Sequence, residues 1–145
     1  MNHIPIYGVM LVRDSSLKVA DKKADSPGAV ADILKAYLAG KDREHFVVLL
    51  LDARRNVIGI NTVSIGTLTA SLVHPAMVFK PAILANAAAI VISHNHLSGE
   101  TSPSSEDKET TKRLSRAGEL LGICVLDHVI ISFDKHFSFK EAGLI

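Results

Sequence analysis

Residues 87–107 read AAAIVISHNHLSGETSPSSED, and the architecture turns on how this line is parsed. It opens with an apolar run, Ala87 to Ile92. Read as a strand, the run alternates its side chains between two faces, so His94 and His96 just beyond it point the same way. A loop of small and polar residues follows, in which Gly99 is free to take backbone angles that other residues avoid. Ser102-Pro103 reads as a helix start, with serine as the cap and proline at the first helical position. Asp107 then falls in the opening turns of that helix.

The apolar positions of the helix are Leu114, Ala117 and Leu121. Counting back seven from Leu114 reaches Asp107, and three more reaches Ser104. Asp107 therefore belongs on or near the inward face. An ionised carboxylate facing inward needs a partner. Two imidazoles at a nearby strand end, sharing a cation with it, would supply one. Two nitrogens and one oxygen, with a fourth position left to water, make a catalytic rather than a closed structural zinc arrangement. Spacing alone leaves a second reading open, in which His94, His96 and Asp107 form a salt-bridged core cluster without metal.

The order His-x-His, seven residues, Ser, two residues, Asp describes His94, His96, Ser104 and Asp107, and it resembles the JAMM (MPN+/JAB) metallopeptidase signature. The words around it, REHFVVLLLDARRNVIG, VSIGTLTASLVHP, VFKPAILANAAAIVISHNH and LGICVLDHVII, are similar to the bacterial RadC family. The likeness covers roughly residues 42–145, with a strand and a helix expected over 1–41, all in one domain. The family's usual loop, HNHPSGDPTPS, is altered here at Leu97, Glu100 and Thr101, which are not ligand positions. The resemblance implies an α+β fold of the JAB/MPN type, cytidine deaminase-like in architecture, with a curved mixed sheet flanked by helices. It implies a Zn2+-dependent hydrolase of peptide or isopeptide bonds, with His94, His96 and Asp107 holding the metal. It also implies Glu44 as catalytic base, a choice the residues alone do not make over Asp42 or Glu106. Ser104, at a helix start, would then donate to the developing oxyanion.

Two other functions compete. RadC-like proteins take their name from a DNA-repair association, and longer members carry an N-terminal helical region that could contact DNA. In this chain the residues before Glu44 begin like a strand. The other alternative is a metal-free JAB scaffold, against which the presence of both histidines, Ser104, Asp107 and Glu44 argues.

Bulk composition narrows the classes. The chain has 145 residues, 48% of them hydrophobic, enough for one substantial core. A net charge of +1 offers no electrostatic case for general nucleic-acid binding. The basic helical face with Lys108, Lys112, Arg113 and Arg116 is mixed with Glu106, Glu109 and Glu119 and reads as solvated. The single cysteine, Cys124, excludes internal disulfides and the paired cysteines of a zinc deaminase. It sits in ICVL and reads as core. No apolar stretch approaches the roughly 20 residues a bilayer crossing needs, and no signal peptide is evident. A cytoplasmic location is the default expectation.

Along the chain, IPIYGVMLVR (residues 4–13) reads as a first strand. Residues 14–26 read as a solvated loop, and Ser26-Pro27 begins a helix that stops at Gly40. Phe46 to Leu51 is a central strand buried on both faces, and Val57 to Ser64 returns beside it as an antiparallel hairpin. The apolar edge of that hairpin could serve a homodimer. Residues 67–88 read as mostly helical, broken at His74-Pro75, with a second segment around Pro81. His74 is open between ligand, substrate contact and hydrogen-bonded hinge. Ile123 to Ser132 is a further strand carrying Asp127-His128, read as buried paired residues with a supporting role to the metal ligands as the alternative. A short last strand surrounds Phe137.

Overall fold

The computed structural model describes residues 1–66 and 73–145. In chain order the elements are α1 (Pro27–Leu38), β1 (His45–Leu51), β2 (Val57–Ile65), α2 (Pro75–Leu84), β3 (Ala89–Asn95), α3 (Ser105–Leu121), β4 (Cys124–Ser132) and β5 (Lys135–Ser138). The strands form one sheet in the order β2-β1-β3-β4-β5. Among the described strands only β3 and β4 run parallel, and α3 makes the crossover between them. The result is the mixed α+β architecture expected from the resemblance.

Helices cover both faces of the sheet, which explains the unbroken apolar runs of the two central strands. One face packs Val47, Leu49, Leu51, Val91 and Ile131 against Val30, Ile33, Leu34 and Leu38 of α1. The other packs Phe46, Val48, Leu50, Ile90 and Ile92 beneath Val78, Phe79 and Ala82 of α2 and Leu114 of α3. All seven residues of β1 and all seven of β3 are buried, histidines included. β2, at one edge, is only partly covered: none of its residues is fully buried, and Ile58, Asn61 and Ile65 are exposed. Ser26 caps α1 through the Ala29 N–H, with Pro27 opening the helix.

Several expectations are corrected. Residues 4–13 form no strand: they belong to no sheet, and Ile4, Ile6, Tyr7, Val9, Met10 and Val12 stay exposed. The chain first meets the fold at Leu17 and Val19, which pack partly buried against the core, and at Lys22 and Lys23 it bridges Asn56 and Val57. Cys124 is exposed rather than core. It is the first residue of β4, and the alternation that buries Ile123 and Val125 leaves it outside. Leu121 is also exposed, and Gly118 takes its place against the core. A Cβ on Gly118 would lie 2.4 Å from the Ile123 carbonyl oxygen, so α3 packs that closely only with glycine there.

The α2 segment starts at Pro75, with Pro81 inside it, and the expected helix over 67–72 lies outside the described residues. α3 begins two residues later than Ser102-Pro103 suggests. Its cap is Ser104, not Ser102. The reason is reciprocal bonding: Ser104 Oγ accepts from the Asp107 N–H, and Asp107 Oδ2 accepts from the Ser104 N–H. Ser102 has no carboxylate three residues on, whereas Ser104 has Asp107 and forms a capping box. Among the described residues no helix is long and apolar enough to cross a membrane.

Candidate metal centre

The carboxyl end of β3 meets the amino end of α3 on the α2/α3 side of the sheet. His94, the last residue but one of β3, shares its face with Ile90 and Ile92. His96 follows one residue beyond the strand. Its backbone is held to β4, its N–H donating to the Ile131 carbonyl and its carbonyl accepting from Ser132 Oγ. Gly99, at φ +89°, lets the loop turn so that the Glu100 carbonyl reaches His96 Nδ1 at 3.0 Å. The altered loop residues thus leave this backbone contact intact. From the other side, the first turn of α3 presents Asp107.

These side chains converge. The Nε2 atoms of His94 and His96 are 2.9 Å apart, His94 Nε2 is 3.2 Å from Asp107 Oδ1, and His96 Nε2 is 3.4 Å from Asp107 Oδ2. Two ligand atoms at zinc-bond lengths of about 2.0–2.1 Å in tetrahedral geometry stand roughly 3.3 Å apart. The three side chains therefore already have the spacing of ligands around one small cation, and they form a group that could hold a metal ion.

Proton placement points the same way. A carbonyl can only accept, so His96 Nδ1 carries a hydrogen for Glu100 and its Nε2 is left with a lone pair towards Asp107 and His94. Electrostatics adds the charge. Burial opposes ionisation of Asp107, but when the facing Nε2 atoms carry protons the hydrogen bonds they donate from His94 and His96 outweigh it and hold the carboxyl well below the usual carboxylate range. Asp107 in turn raises the proton affinity of His96. A half-buried anion beside two imidazoles will take up a proton or a metal cation.

Glu44 precedes β1, which pairs with β3 so that Phe46 faces His94. Carried two residues further, that register sets Glu44 across from His96, and its charge contributes to the raised proton affinity of His96. Of the other two carboxylates, Asp42 pairs with Arg43 at the surface and Glu106 is exposed on α3. Asn95, missed in the sequence, pins this segment: its side chain accepts from the His45 N–H at 2.6 Å and donates to the Arg43 carbonyl at 3.1 Å. The signal available was a polar residue between two histidines, turned by alternation to the opposite face. Ser104 Oγ accepts from Asp107 N and keeps its own hydrogen free to donate.

The remaining candidates separate. His74 is the exposed N-cap residue of α2 and makes no side-chain cap bond. Asp127 and His128 are buried and paired, as expected. Asp127 accepts from Ser138 Oγ, Lys140 N and His128 N, and burial still leaves its pKa raised. His128 is fully buried, which pushes its proton affinity well below that of a free imidazole. Its ring bonds His94 Nδ1 at 2.8 Å and Thr111 Oγ1 at 2.6 Å. Thr111, one turn after Asp107 on the same helix face, was not singled out in the sequence. Arg113 leaves the basic face of α3, donating to the Val73 carbonyl.

Comparison with known proteins agrees with the fold and the signature. The profile of a family described as "RadC-like JAB domain" matches residues 24–144, starting earlier than the resemblance over 42–145. A UPF0758 protein of Rubrobacter xylanophilus is 52% identical over 120 residues, covering 83% of this chain and 52% of its own. One from Staphylococcus haemolyticus is 48% identical over 134 residues, covering 92% and 58%. One from Desulfitobacterium hafniense is 47% identical over 121 residues, covering 83% and 53%. The chain spans about half the length of these curated relatives.

Proposed function

The chain belongs to the RadC-like JAB domain family, and on that premise we propose that it is a zinc-dependent hydrolase of the JAMM type acting on a peptide or isopeptide bond. The observation that carries the reading is the convergence of three side chains, with polar atoms 2.9, 3.2 and 3.4 Å apart and a depressed carboxylate among them. The donor set of two imidazole nitrogens and one carboxylate oxygen suits zinc with an open position.

His94, His96 and Asp107 would hold the ion, which when bound would supply an acidified water and a Lewis acid for the substrate carbonyl. Glu44 would serve as the general base, holding a proton taken from water and passing it to the departing amine. Its segment is fixed for that work by Asn95 and by the bond from the Gly66 N–H to the Glu44 carbonyl. The Ser104 hydroxyl donates to the carbonyl oxygen as charge gathers there. Its position is set by the helix cap, so little reorganisation accompanies the reaction.

The test pairs metal content with turnover. Mass spectrometry of wild type and His96→Ala should find zinc in the first and little in the second. A panel of peptide and isopeptide substrates should be cleaved by wild type and not by Glu44→Gln. Equal zinc in wild type and His96→Ala would overturn the ligand assignment. A zinc-loaded wild type that cleaves no member of the panel would overturn the hydrolase.

A further inference from the structure

We propose that Thr111 and His128 are positioning residues that lock the tautomer of His94, keeping its hydrogen on Nδ1 so that Nε2 faces the ion. The proposal rests on the metal-site reading above and concerns how one ligand is kept ready. His96 needs no such device, because a backbone carbonyl fixes its tautomer. His94 lies within β3, between β1 and β4, where the backbone carbonyls are engaged in the sheet ladders. The partner of its Nδ1 is another imidazole, which can donate or accept.

The ambiguity resolves at the far end of the chain of bonds. Thr111 Oγ1 has one hydrogen and lies 2.8 Å from the Asp107 carbonyl oxygen, which can only accept. The hydroxyl hydrogen goes there, the back-bonding threonine makes within a helix. Oγ1 must then accept from His128 Nδ1 at 2.6 Å. His128 is enclosed by Phe46, Phe139 and His94, its ring stacked on Phe139 at 4.5 Å, and its ring hydrogen bonds include none to a carboxylate. A charge in that setting would be costly, so the ring is neutral. With its hydrogen on Nδ1, His128 Nε2 is an acceptor, and His94 Nδ1 donates to it at 2.8 Å. The lone pair of His94 is thereby left on Nε2, 3.2 Å from Asp107 Oδ1.

The anchor of the relay is one helical turn from the carboxylate ligand. α3 thus sets two ligands at once, Asp107 through its own side chain and His94 through Thr111 and His128. Replacing Thr111 by valine removes the acceptor for His128 Nδ1–H. The hydrogen then moves to His128 Nε2, His94 must accept at Nδ1, and its own hydrogen is driven to Nε2, where it blocks the metal.

Nitrogen-15 NMR of the histidine rings reads this directly in the zinc-free protein at alkaline pH. Wild type should show the His94 hydrogen on Nδ1, and Thr111→Val should move it to Nε2. Zinc affinity, measured by competition with a chelator, should fall roughly 10–100-fold in Thr111→Val and return in Thr111→Ser, which restores the hydroxyl. A wild-type hydrogen on His94 Nε2 would overturn the proposal, and that spectrum decides even if Thr111→Val does not fold. So would an unchanged tautomer and affinity in a folded Thr111→Val. Wild type that shows the expected tautomer but takes up no zinc would sink the metal-site reading and leave the tautomer lock supported.

Discussion

Strand β3 and the segment 4–13 are built from similar residues, and only one of them is a strand. IPIYGVMLVR is as rich in β-branched and apolar side chains as AIVISHN. β3 has β1 on one side and β4 on the other, and both of its faces lie under helices. In the segment, Ile6 is 97% exposed and Val12 83%, and no sheet neighbour is found among the described residues. The difference teaches that β-propensity is a statement about surroundings. A run of valines and isoleucines becomes a strand where ladder partners and a second layer wait for it, and the segment has neither.

The comparison can be broken or sharpened by experiment, the largest effect coming first. His94→Ala at the tip of β3 should abolish zinc binding in a metal titration, because the remaining two donors leave a water in place of a buried imidazole. Leu114→Ala, fully buried in the cluster that also holds Ile90 and Ile92 of β3, should lower unfolding stability by about 2–5 kcal/mol in chemical denaturation. A smaller effect follows from His96 in metal-free protein. Its folded pKa is raised above the ordinary 6.5, chiefly by Asp107, so its stabilisation is fully present below pH 6.5 and is lost as pH rises through the folded value. Denaturation midpoints of the chelated protein should fall across that interval, and zinc should remove the fall. Smallest of all, deleting residues 1–13 should change stability by less than about 0.5 kcal/mol, since those side chains bury almost nothing. A loss of more than 2 kcal/mol on that deletion would mean the segment does pair with something, and the contrast with β3 would collapse.

The legible parts of the molecule were those in which one short-range rule acts without competition. The continuous runs of β1 and β3 could hardly be anything but doubly covered strands. Ser26-Pro27 and the β1-β2 turn carried local signals that nothing overrode. The pattern from His94 to Asp107 was legible because alternation and helical spacing bring its members to one side. Where two local signals competed, the reading slipped: Ser102-Pro103 had a proline, but Ser104 had a carboxylate at the right distance to bond back. Cys124 was misplaced because an apolar neighbourhood says little about which side of a strand end is covered. Thr111 and Asn95 went unseen for a different reason. Each acts through a partner distant in the chain, Thr111 on His128 and Asn95 on His45 and Arg43. Such pairings follow from the register of β1, β3 and β4, which no stretch of sequence states by itself.

The capping box of α3 has a consequence of its own. Asp107 Oδ2 accepts the hydrogen bond that begins the helix and is also the oxygen nearest His96. Occupancy of the cluster and the order of the first helical turn are therefore linked equilibria, drawing on one atom. Amide hydrogens of residues 105–108 should exchange with solvent more slowly once zinc is present, and a mutation that frays this turn should weaken zinc retention without touching a ligand.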